Sequence, residues 1–202
     1  MGPATSAVDV PRPRIDLEVG KRRHRRITGS AGLLLFVCLF LPAVKGCHET
    51  IYPVTLPMFW HPYIYGGVFA AAGLTLTTRG LRYTVVALRV LAWLTVIGAA
   101  FLAIAAGGIG IVELMLGAVM VGLIGTRGYS ERRIAATAIA AGACSLLWFG
   151  LWTFEPDALV GVYLSSIASV GLLVGGLVWL AELSRRRPVP IVIPRARARE
   201  RV

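Results

Sequence analysis

Charge is scarce in this chain. Asp, Glu, Lys and Arg make up 15% of its 202 residues, where a soluble domain carries about a quarter. Histidine is scarcer: His24, His48 and His61 are the full complement of three, and none falls within a long apolar stretch. No Asp falls there either. The chain has no GxSxG, no HExxH and no phosphate-cradling P-loop, so serine hydrolase, zinc protease and nucleotide-driven chemistry lack their usual residues. Cysteine is limited to Cys38, Cys47 and Cys144. An odd, scattered set is no disulfide framework, and Cys38 and Cys144, inside apolar stretches, read as small packing residues. These shortages point to a protein that is not an enzyme and carries no cofactor.

What is abundant is apolar: 56% of residues are hydrophobic and the mean hydropathy is +0.73. A helix crossing a bilayer needs about 20 mainly apolar residues. Six such stretches are present, at 27–44, 62–78, 83–106, 109–126, 134–154 and 158–181. The third and fourth are parted only by Gly107-Gly108. A single helix over both would be far longer than a bilayer is thick, so a tight hairpin is expected, with residues whose numbers sum to about 215 at equal depth. The expected fold class is all-α: a polytopic, six-transmembrane-helix bundle with short loops. The expected organisation is a disordered basic cytoplasmic tail over 1–26, a six-helix membrane domain over 27–181 and a basic Pro/Arg-rich tail over 182–202. The basic run 21–26 precedes the first apolar stretch without a small-x-small cleavage site, so that stretch reads as an anchor rather than a removable leader. Richness in Ala, Gly, Val and Arg suggests a bacterial inner membrane.

The net charge of +11 would suggest nucleic acid in a soluble protein. Its distribution argues otherwise. With six spans and an inside N-terminus, the inner segments hold nineteen bases and six acids, while the outer ones hold Lys45 against Glu49, Glu155 and Asp157. That is the positive-inside pattern. Lipid, and a cytosolic partner for the basic tails, are the implied partners; the tails interleave no aromatics for base stacking, so nucleic acid is not. Tyr52, Trp60, Tyr63, Tyr65, Trp148 and Trp152 fall near the outer ends, Tyr129 and Trp179 near the inner, as interfacial belts do. Thr78-Arg79-Gly80 and Thr126-Arg127-Gly128 read as helix stops.

Small residues mark the packing faces. The fifth stretch is small nearly all round over 135–145, Gly142 included, and reads as a central helix. The second carries Gly66, Ala70 and Gly73 on one stripe. The sixth has Gly171 and Gly175 at GxxxG spacing, either for packing within the chain or for a homodimer through that helix. In the homodimer, replacing both with Leu would abolish the dimer.

Glu113 is the position richest in chemical possibility. Gly110 and Gly117 share its helix face, so it is expected to point inward, one turn inside the fourth span, as a proton or cation site or as an interfacial carboxylate hydrated from outside. Arg89 lies too deep toward the opposite side to pair with it and is expected to reach the inner headgroups, over Trp93. If the chain is a small transporter or channel, Glu113, Arg89, Ser165, Ser169 and Thr95 would line its path. The first outer loop carries Cys47, His48, Glu49 and His61, all metal-ligand types, but their spacing matches no zinc motif. The alternative is a Pro-stiffened cap. Three functions follow in order: an accessory, structural or assembly protein working through partners; a transporter or channel using Glu113; and an outward-facing metal or redox protein.

Overall fold

The computed structural model describes residues 23–46, 49–56, 60–74, 78–106, 108–125 and 130–185. Among them are six α-helices: α1 (Arg23–Cys38), α2 (Trp60–Leu74), α3 (Thr78–Ala106), α4 (Gly108–Met120), α5 (Glu131–Trp152) and α6 (Val160–Arg185). Each lies on one of the six apolar stretches. A π-turn over Val121–Gly125 extends α4. Three helices are long and apolar enough to cross a membrane: α3 over Arg82–Ile104, α5 and α6. The 16 residues of α1 and the 15 of α2 reach only about 24 and 22 Å at 1.5 Å per residue.

Glycines set the pairings, and each pairing is antiparallel. A methyl group on Gly29 would sit 2.9 Å from Gly73 Cα, and one on Gly32 would sit 2.5 Å from the Gly66 carbonyl oxygen, so α1 and α2 touch backbone to backbone. On the other side of α1, Gly175 abuts Thr28 and Gly171 abuts Ala31 of α6. In turn α6 meets α5 through Gly176 against Ile139 and Gly142 against Leu173. The result is a row in the order α2, α1, α6, α5. In α3 and α4, Gly110 packs on Ala103 and Gly117 on Val96. Those pairs sum to 213, against the 215 expected from the sequence. The α3–α4 hairpin lies across the row, touching α2 and α5.

Several expectations change in detail. The middle of the row is α1 and α6, not α5. One face of α5 is buried (Ile134, Ala138, Ala141, Ser145 and Phe149), while Leu147 and Leu151 on another face are exposed. The faces of Gly171 and Gly175 are filled by α1 of the same chain, so a homodimer through the sixth helix would have to use its exposed stripe of Tyr163, Ile167, Val170, Val174 and Leu177. Helix α1 begins at Arg23, inside the expected tail, and ends at Cys38. The triplet Thr78-Arg79-Gly80 opens α3 instead of closing α2, while Thr126-Arg127-Gly128 lies outside the described residues.

The aromatic belt is only partly realised. Tyr52, Trp60 and Trp152 are exposed, but Tyr63, Tyr65 and Trp179 are buried in the bundle. Tyr129 lies outside the described residues. The outward surface is instead an apolar girdle including Val86, Val90, Ile97, Phe101, Met115, Val119 and Ile167. Large apolar side chains so widely exposed suit lipid rather than water.

The antiparallel pairings put the two ends of the bundle in contrast. At one end lie the start of α1 and the end of α6. At the other, the segment after α1 folds into a small cap. Its two strands, β1 (Val44–Lys45) and β2 (Thr50–Ile51), pair antiparallel. Lys45 N donates to the Asp157 carbonyl at 2.9 Å, Leu159 N to Ala43 at 2.8 Å and Gly161 N to Pro42 at 2.9 Å, which binds the cap to the α5–α6 connection. A 3₁₀ turn over Pro53–Thr55 follows. Of the prolines expected to stiffen this loop, Pro53 opens the 3₁₀ turn, Pro62 lies in α2 and Pro57 lies outside the described residues.

Candidate functional site

The capped end holds the one buried carboxylate among the described residues. In α4, Gly110 and Gly117 bring the helix backbone against α3, and Glu113, between them on the same face, is carried inward with them. It is 6% exposed. The first turn of α2 reaches it from the other side: His61 Nε2 stands 3.8 Å from Glu113 Oε1. That separation is too long for a hydrogen bond and short enough for strong electrostatic coupling in a site of low dielectric. Trp60, beside His61, is anchored to the cap by its indole N–H, which donates to the Val54 carbonyl at 3.1 Å.

Two cavities meet at this pair. One, of about 230 Å³, lies between α2, α3 and α4 and is lined by Trp60, His61, Leu94, Thr95, Gly98 and Glu113. A methyl group on Gly98 would touch nothing within 4 Å, so this wall faces open space. The other, of about 380 Å³, runs between α2, α4 and α5 and is lined by His61, Tyr65, Glu113, Val119, Ser145 and Leu147, among others. Glu113 and His61 form the wall common to both. A carboxylate held there can attract a cation, exchange a proton with the imidazole, or do both in turn.

The sequence candidates do not all converge. Thr95 shares the smaller cavity with Glu113, although its hydroxyl donates to the Leu91 carbonyl at 2.9 Å. Ser165 and Ser169 are fully buried in α6 and donate back into their own helix, to Gly161 and Ser165, each at 2.7 Å. They lie apart from both cavities around Glu113. Arg89 is at the far end of α3, where its Nε donates to the Ile124 carbonyl at 3.1 Å. That carbonyl belongs to the π-turn ending α4, so the arginine satisfies a helix terminus at the depth the hairpin register implies. Of the metal-type residues, Cys47 and His48 lie outside the described residues. Glu49 is exposed in the hairpin, and His61 sits in α2 facing the bundle. Among the described residues no three His, Cys, Asp or Glu side chains come together as a metal set.

Both described histidines sit on helices, not outside them. His61, expected in the first outer loop, lies in the first turn of α2 beside Pro62, where Pro is well suited to a helix start. At the opposite end, His24 is fully buried in α1. Its Nδ1 donates to Glu182 Oε2 of α6 at 2.6 Å, and its ring stacks on Trp179 with centroids 5.0 Å apart. The signal available was the spacing of Trp179 and Glu182, three apart on one helical face.

No protein-family model, no curated protein and no solved structure matches this chain.

Proposed function

We propose that the chain is a six-span protein of a bacterial inner membrane, with both termini cytoplasmic, that acts as a small transporter or channel and takes a proton or small monovalent cation at Glu113 from the outer side. The single observation that carries this reading is Glu113: a carboxylate in an apolar helix, buried, facing His61 and walling two cavities. Ionisable groups at such positions are expensive to keep in a membrane and mark ion or proton pathways.

Three helices long and apolar enough to cross, the outward apolar girdle and the alternating helix directions support the membrane placement. The shorter α1 and α2 pack on long α6 or on each other, and a bilayer accommodates a short span by local thinning. The charge pattern supports the orientation: Arg82, Arg132, Arg133 and Arg185 lie toward the end where α1 begins, whereas Lys45, Glu49, Glu155 and Asp157 lie at the capped end. An accessory role through a partner on the basic tails is the rival and rests on charge alone.

The test is modification of Glu113 by an apolar carbodiimide, read by peptide mass spectrometry on protein in a mild detergent. Sodium, potassium and tetramethylammonium are each titrated at constant pH and ionic strength. The expected result is a Glu113 adduct that at least one of these cations suppresses in a saturable way. An adduct indifferent to all three, or none at all, would overturn the cation site.

A further inference from the structure

The larger cavity says what kind of cation fits. Its two long walls come from α4 and α5, two helices that barely touch, and α2 closes it with His61, Pro62 and Tyr65. Met115 and Val119 on α4 and Leu147 and Leu151 on α5 line it, and all four are exposed on the apolar girdle, Leu147 and Leu151 at 70%. A cavity whose lining residues are also lipid-facing opens sideways, toward the membrane. Along α4 it runs from Glu113 to Met120, about 10 Å of helix, the reach of a medium alkyl chain. Its volume of about 380 Å³ lies within the range of small-molecule sites.

Its ionisable pair lies at one end. Glu113 and His61 stand at the capped end, and the hydroxyls of Tyr65 and Ser145 are the further oxygen donors along the cavity. Beyond the pair lies the smaller cavity, with the Trp60 ring at its rim. An indole face attracts a cation, and a buried carboxylate repels an anion.

We propose that the groove between α4 and α5 admits an amphiphilic cation, a hydrocarbon tail bearing a quaternary or protonated amine, from the outer leaflet, with the tail along the groove and the head at Glu113. The inference rests on the reading of Glu113 as a cation site and adds lateral entry and the apolar tail. Charge complementarity selects the head, and the apolar groove selects the tail, each buried methylene contributing favourably.

The experiment is equilibrium dialysis with the full chain in lipid nanodiscs, corrected for empty nanodiscs. The probes are tetramethylammonium, octyltrimethylammonium and octyl sulfonate. The expected result is that octyltrimethylammonium binds at least tenfold more tightly than tetramethylammonium and that octyl sulfonate does not bind. Leu147→Trp, at an exposed position on the groove's rim, should cut octyltrimethylammonium affinity at least tenfold, with a wild-type elution profile as the check on folding. Glu113→Gln should remove both. Equal affinity for the two cations, both lost in Glu113→Gln, would overturn the groove and leave the cation site standing. Octyltrimethylammonium binding that survives Glu113→Gln, or octyl sulfonate binding as well, would overturn both readings.

Discussion

The two ends of the bundle each set a histidine against a glutamate, with the histidine buried at one end and the glutamate at the other, and the two pairs are built differently. At the end where α1 begins, His24 and Glu182 are in full hydrogen-bond contact at 2.6 Å, under Trp179, with the histidine entirely enclosed. At the capped end, His61 and Glu113 stand 3.8 Å apart with a cavity on either side. The first pair joins the two middle helices of the row by a short hydrogen bond. The second joins α2 to the hairpin that lies across the row and leaves a carboxylate beside open space. A closed pair is a fastening; an open one is available to a ligand. The same two residue types therefore carry opposite expectations, stability at one end and binding at the other.

The largest effect concerns the frame on which both ends depend. Gly175→Leu should overpack the α1–α6 interface, where even a methyl would lie 2.6 Å from Thr28 Oγ1. Overpacking of this kind costs about 1–3 kcal/mol or more, and the expected outcome is loss of monodisperse protein on extraction. A wild-type elution profile and melting curve would show that α1 does not cover this face. Next comes the closed pair. Glu182→Gln should weaken the contact with His24 and lower stability by about 1 kcal/mol, since Glu182 is partly screened by solvent. Thermal melts in detergent check this, and Glu113→Gln serves as the contrast, with a smaller change in melting because the 3.8 Å pair contains no hydrogen bond. A smaller effect of opposite sign is expected from Gly98→Ala, which should stabilise α3 by about 0.5–1 kcal/mol through helix propensity in a position with open space around it. Gly98→Leu, reaching further into the smaller cavity, should additionally weaken cation protection of Glu113 against carbodiimide. The smallest is Arg89→Met, which removes the donor to Ile124 at the end of α4 and should cost about 0.5 kcal/mol, seen as a modest fall in melting temperature without any change in cation protection.

Part of the frame was legible in the sequence: helix number and the α3–α4 hairpin follow from simple patterns, whereas the row α2, α1, α6, α5 was not read from them. The apolar stretches are separated by charges, turns or the Gly107-Gly108 break, and small residues recur where backbones must approach. The hairpin register of α3 and α4 was therefore readable to within two residues. Glu113 was legible for the same reason: glycines at i−3 and i+4 announce a packed face. The ends of helices were not. Arg23 to Arg26 look like a solvated tail when each charge is counted against burial, yet α1 continues through them, with His24 and Arg25 buried. Trp179 looks like an interfacial ring, but stacking on His24 draws it inward. His61 looked like a loop ligand, since nothing local reveals that Glu113, 52 positions later, will face it. These are tertiary pairings between distant residues, and a single sequence holds the partners without saying that they meet.

The most direct measurement is cation flux into proteoliposomes carrying the wild-type chain, Glu113→Gln or Glu182→Gln at matched protein per vesicle, driven by an imposed gradient and followed with a cation-sensitive dye. The expected result is flux at least tenfold lower in Glu113→Gln, with Glu182→Gln close to wild type once normalised to folded protein. Equal flux in all three, or loss confined to Glu182→Gln, would contradict the assignment of binding to the capped end.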